Sequence, residues 1–116
     1  MLHIPTEDRE LFEKAIFLPM ALIVLGRDLK TIESGPFKLK QPYIHLLEKT
    51  MTKIQQDLRD IKREMHKRRM KVFEQKRDEA FTEFLFVYNG YEETHNYFNP
   101  RIRHNVEELI DHYLLN

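Results

Sequence analysis

The side chains best suited to metal chemistry lie in the last quarter of the chain. Glu92-Glu93-Thr94-His95 holds a Glu-x-x-His, the pair that helical di-metal carboxylate proteins set on one helix face and use in two copies. A second copy is missing, because no other Glu is followed by His at that spacing. His104, Glu108 and His112 follow one another at four-residue steps. On a helix they share a face opposite Ile102, Val106 and Leu109, which turns them to water. A solvated polar face, with His95 a partly buried ring among aromatics, accounts for all of them, and no metal or cofactor is expected. Nucleophilic chemistry has less to work with. Ser34 is the only serine and sits in the Ser34-Gly35-Pro36 stop, where capping explains it. Three glycines in all leave no Gly-rich phosphate loop. The expected protein is not an enzyme, and no small-molecule substrate is evident.

Two further constellations bear on binding. Lys62, Arg63, Lys67, Arg68, Arg69, Lys71, Lys76 and Arg77 crowd one stretch against Glu64 and Glu74. Such a cluster can meet phosphates, with Lys67, Arg68, Arg69 and Lys71 the contacts a nucleic-acid-associated regulator would use. Lys plus Arg equals Asp plus Glu at 19 each, so no net field draws the molecule to a polyanion. With no recognisable DNA-reading motif, a solvated helix end is the favoured reading of the cluster. Phe81, Phe84, Phe86, Tyr88, Tyr91, Tyr97 and Phe98 are of a type that stacks on bases. At helical spacing they read instead as core, or as a face for a partner protein.

The elements that would position these groups read as helices. Ile44, Leu47, Met51, Ile54, Leu58, Ile61 and Met65 recur three and four apart, a dry stripe along a helix that opens with Pro42 in its first turn. If Ile44 is an a position, a parallel homodimer pairs Asp57 with Lys62 and Glu64 with Arg69 across the seam. The alternative packs the stripe on the first helix of the same chain as an antiparallel hairpin, and the short connection Phe37–Gln41 favours that. A dimer can form on top of it, so the seam stands as the expected protein interface.

The first helix spans about Thr6 to Glu33. Thr6 is its expected N-cap, and Glu7, Asp8 and Glu10 place negative charge where the helix dipole favours it. Pro19 predicts a kink or two short helices, and Gly35 a left-handed cap. Ala15 to Leu25 is apolar almost all round, which implies burial on more than one side. At 11 residues with Pro19 inside, it is about half of a bilayer span.

Met70 to Phe98 admits two readings. As a helix, Phe81, Phe84, Tyr88, Tyr91, His95 and Phe98 fall three and four apart, with Gly90 costing about 1 kcal/mol against alanine. As strand, Phe84–Tyr88 pairs with Met70–Glu74 in a hairpin around Arg77-Asp78-Glu79, and Asn89-Gly90 is a turn whose return strand, Glu92–Asn96, is poor. The helix is favoured. Asn99 then caps a final amphipathic helix, with Pro100 in its first turn and Ile102, Val106, Leu109, Ile110 and Tyr113 on one face.

Pro36-Phe37-Lys38-Leu39-Lys40-Gln41-Pro42-Tyr43, and Gly90-Tyr91-Glu92-Glu93 running into Tyr97-Phe98-Asn99-Pro100-Arg101, resemble a family of small proteins from spore-forming Gram-positive bacteria, the YhjD-like group. The resemblance covers most of the chain. It implies a bacterial cytoplasmic protein and brings no activity, ligand or catalytic residue with it.

Apolar residues at 41% and charged residues at 33% fit a helix-rich globular chain with a well-solvated surface. The absence of cysteine removes disulfides and thiolate sites and suits a reducing compartment. The opening Met1-Leu2-His3-Ile4-Pro5 does not read as a signal peptide. The expectation is therefore one mainly helical (all-α) domain over 1–116: a hairpin or bundle with a long second helix, a C-terminal amphipathic helix, and at most a small β-hairpin near 70–88. Its expected role is that of a cytoplasmic interaction or adaptor protein that self-associates, as a homodimer or on another protein, without membrane contact.

Overall fold

A computed structural model describes residues 3–116; Met1 and Leu2, which open the segment read for a signal peptide, lie outside the described residues. The element order is α1 (Thr6–Ser34), α2 (Gln41–Lys67), β1 (Met70–Arg77), β2 (Phe81–Tyr88), β3 (Tyr91–Phe98) and α3 (Asn99–Leu115). The three strands form an antiparallel meander in the order β1-β2-β3. The fold is thus α+β, and the all-α expectation is corrected: Met70 to Phe98 is a sheet, not a helix.

The sheet wins for local reasons. Asn89 (φ 52°) and Gly90 (φ 88°) both take the left-handed region, which makes the two-residue turn whose twist matches the flanking strands. Every second residue of β2 then points inward, so Thr82, Phe84 and Phe86 are buried while Phe81 is not. Three- and four-residue aromatic spacing across 81–98 arises from these alternating positions and is not a helical stripe. β3 is a better return strand than its polarity suggests, because Glu93, His95 and Tyr97 alternate inward as its half-buried positions.

α1 and α2 form the expected antiparallel hairpin. Asp8 near the start of α1 meets Arg68 just beyond α2, and Gly26 lies against Met51. Leu47, Ile54, Leu58 and Met65 of the seam are buried, with Ile44, Met51 and Ile61 half-buried, in a core shared with Phe12, Ile16, Leu18, Ala21 and Leu25. The stripe that suggested an intermolecular coiled coil therefore faces α1 within the chain. Its two flanking acids bond within the chain: Asp57 accepts the Tyr113 hydroxyl at 2.5 Å and Glu64 bonds Arg68 at 2.8 Å.

Three readings of α1 need revising. α1 runs unbroken through Pro19, so two short helices do not form; the proline removes one backbone bond, and apolar burial along Ile16–Ala21 outweighs it. Pro5, not Thr6, stands at the N-cap, and its carbonyl accepts the Arg9 amide at 2.9 Å. Gly35 is extended (φ −87°), yet the site requires it: a Cβ would lie 2.6 Å from the Thr31 carbonyl oxygen. The exposed α1 carbonyl of Glu33 is bonded by Lys40 Nζ at 2.8 Å.

Candidate functional site

The sheet has two faces, and they are treated differently. Cross-strand pairing puts Met70, Val72, Thr82, Phe84, Phe86, Tyr88, Glu93, His95 and Tyr97 on the inner one. There Phe12 of α1 stacks on Phe86 with ring centroids 4.3 Å apart, and Phe17 meets Tyr97 edge-on at 6.0 Å. His95 closes the stack on the other side of Phe86, at 4.2 Å, with Nε2 3.0 Å from Glu93 Oε1. Tyr97 donates to Glu13 at 3.0 Å, and burial beside that carboxylate pushes its phenol pKa well up.

The outer face is arranged in rows. Lys71, Val87 and Glu92 form one, Phe73, Leu85 and Thr94 the next, then Lys76, Glu83 and Asn96, with Phe81 beside Phe98 at the end. Phe73, Phe81 and Phe98 are 51%, 45% and 50% exposed, and the Phe81 and Phe98 rings lie 5.5 Å apart. No helix among the described residues covers this side, because α1 and α3 pack on the inner one. β2 therefore carries apolar side chains on both faces, the pattern of a strand covered twice, and is covered once. Leu85 and Val87 at its centre, with Phe73 beside Leu85, make an apolar patch of the kind that marks contact sites, and the row of Lys76, Glu83 and Asn96 separates it from the Phe81 and Phe98 pair. A register that offsets Lys76 from Glu74 bends β1 beside it.

Two polar junctions hold the sheet against the helices. At one end the buried Asp8 carboxylate accepts from the Tyr88 hydroxyl and from Arg68 Nη1, the latter at 2.5 Å. The Tyr88 bond, then Arg68, hold the Asp8 pKa below the usual carboxylate range against the opposing effect of burial, and the same bond raises Tyr88. Next to it Arg69 takes a left-handed conformation (φ 56°), and its carbonyl accepts the Asn89 amide at 2.9 Å. At the other end Asn99 is the first residue of α3 and not its cap. Its side chain accepts the buried Thr82 hydroxyl at 2.7 Å and donates to the carbonyls of Asp78 (2.9 Å) and Glu79 (3.2 Å). Asp78 in turn accepts the amides of Ala80 and Phe81, which lower its pKa.

The residues singled out by sequence fall as follows. Glu92 and His95, three apart on a strand, point to opposite faces, so the helical Glu-x-x-His geometry does not form. His104 and Glu108 pair at 3.1 Å on the exposed side of α3, while His112 stacks edge-on with Tyr113. Among the described residues no three His, Asp or Glu gather as a metal would need. In the basic cluster, Arg63 pairs with Asp60, Arg68 with Asp8 and Glu64, and Arg77 with Glu74. Lys67, Arg69 and Lys71 are exposed and form no ion pair among the described residues. Sequence reasoning missed Asp8, whose partners lie 60 and 80 residues away, and the outer sheet face, whose signal was the two-sided apolarity of Phe81–Tyr88.

No helix is long and apolar enough to cross a membrane among the described residues. No solved structure matches the chain. It is 46% identical over 114 residues to a Bacillus subtilis (strain 168) protein described as "Uncharacterized protein YhjD", an alignment spanning 98% of this chain and 95% of that one. The family model described as YhjD protein matches residues 3–116, and the chain belongs to that family.

Proposed function

We propose that this is a non-enzymatic interaction protein of the bacterial cytoplasm whose contact surface is the outer face of the sheet. The observation that carries the reading is β2, apolar on both sides and covered on one. Burying Leu85, Val87, Phe73, Phe81 and Phe98 would add the second layer that such a strand ordinarily has. The seam on α2 does not serve this role, since its central residues are spent on α1.

A photo-crosslinking residue at position 85 in living cells tests this directly, with position 59, exposed on α2, as the control. Discrete protein adducts from position 85 and none from 59 are expected. Absence of any adduct at 85 would overturn the reading. A second reading, association with a polyanion, draws support from unpaired Lys67, Arg69 and Lys71 at the α2–β1 junction. Under that reading the adducts at 85 would fail to form in a lysate whose nucleic acid is digested before irradiation.

A further inference from the structure

We propose that the occupant of the outer sheet face is a second copy of this chain, related by a two-fold axis running parallel to β2, so that Lys71 of each copy opposes Glu92 of the partner subunit. This rests on the reading of that face as a contact surface and adds the partner and its geometry.

The argument is one of charge placement. Lys71 and Lys76 lie on the β1 side of the outer face, and Glu92 lies on the β3 side in the same row as Lys71, with Val87 between them. A two-fold axis along β2 carries the β1 side of one sheet over the β3 side of the other while keeping each row in place. Lys71 then meets Glu92 of the partner subunit twice over, Val87 and Leu85 meet their own counterparts, and Lys76 lies over Asn96 of the partner subunit. Glu83 meets its counterpart, but each is flanked by its own cross-strand neighbour Lys76. An axis across the strands instead stacks β1 on β1 and brings Lys71 toward Lys76, a like-charge contact that opposes assembly. Charge thus selects one of the two symmetric ways of covering the patch, and the product is a four-layer helix–sheet–sheet–helix particle with aligned sheets.

The face is small. Three eight-residue strands at about 3.4 Å per residue and about 4.8 Å spacing present a footprint of roughly 400 Å² per copy, below that of a standard stable interface. The pairing is therefore reversible, populated as concentration rises, and weakened by salt that screens the rim.

Sedimentation equilibrium from low micromolar to millimolar, at low salt, tests the proposal with two exposed-site variants. The native chain should pass from one to two chains in mass. Lys71→Glu alone and Glu92→Lys alone each turn both rim pairs repulsive and should raise Kd about tenfold or more. Mixing the two variants should restore native-like pairing, because in the mixed dimer both opposed pairs are again of opposite sign. Circular dichroism confirms that each variant is folded. A native chain that stays monomeric throughout, or a mixture that pairs no better than its parts, overturns the dimer. If position 85 nevertheless yields adducts in cells, at a mass other than twice the chain, the contact surface stands with a different partner. If it yields none, both readings fall.

Discussion

Asn99 should act as the clasp between α3 and the β1–β2 turn, and a double-mutant cycle with Thr82 can measure it. Asn99→Ala removes three side-chain hydrogen bonds. The two donated to Asp78 and Glu79 are at an exposed loop, where water replaces them, so they contribute ~0.5 kcal/mol each. The third is different. Thr82 is fully buried, and its hydroxyl would be left without an acceptor, at about 1–3 kcal/mol. The sum is about 3 kcal/mol. Thr82→Val removes the stranded group itself at nearly constant volume and should cost about 1 kcal/mol, since Asn99 is only half-buried and can turn to water. The double variant should therefore be less damaged than the two single costs added, by ~1–2 kcal/mol. Urea unfolding followed by far-ultraviolet circular dichroism suits a chain without tryptophan. Strict additivity would refute the clasp. Asn99→Asp supplies a second check: it keeps the acceptor for Thr82 but aims a carboxylate oxygen at two carbonyls. Its deficit should be largest near neutral pH and shrink on acidification, as the protonated acid regains a donor.

Two other outcomes follow from the same structure. Asp8→Asn should destabilise the fold at neutral pH, and the gap from the native chain should close as pH falls. Because the folded Asp8 pKa is depressed below 3.8, its contribution is complete above that value and is lost only in the acid range beneath it; a gap that persists unchanged through acid unfolding curves would show that Asp8 is not held as a carboxylate. Gly90→Ala should cost about 1 kcal/mol in a denaturant titration although its Cβ would meet no atom within 4 Å, because the cost is one of backbone conformation at φ 88° and not of space. An unchanged midpoint would mean that the turn does not hold that conformation in solution.

The helices were legible because each has a period and punctuation of its own. The Ile44–Met65 stripe, Ser34-Gly35-Pro36, and Pro42 and Pro100 in first turns all act within a few residues, and local chemistry decides them. The hairpin at Met70–Tyr88 was visible as the weaker alternative, and β3 only as a poor return strand over Glu92–Asn96. Its residues alternate Glu92, Thr94, Asn96 outward against Glu93, His95, Tyr97 inward, and the inner set is polar enough to hide the alternation. The deciding signal was Asn89-Gly90, whose readiness for left-handed conformations fixes a tight hairpin more firmly than one glycine weakens a helix. The role of Asp8 was not legible at all. First-turn acids are expected in any helix, and only the folded chain brings Tyr88 and Arg68 to this one. The outer face followed the same logic, since a strand with two apolar faces is recognised only once its covering layer has been located.

The order in which the chain emerges gives α1 a particular history. Its apolar girth is covered on one side by α2, which follows at once, but Phe12 and Phe17 await Phe86 and Tyr97, and the remaining cover comes from Ile102 and Val106 in α3. At about 5–20 residues per second of synthesis, the interval between the end of α1 and the arrival of α3 is several seconds. During that time the hairpin of α1 and α2 presents an open greasy flank. Completion of this protein is therefore tied to its last helix, so a chain cut short before Val106 would be a substrate for chaperones and proteases rather than a smaller working version of itself.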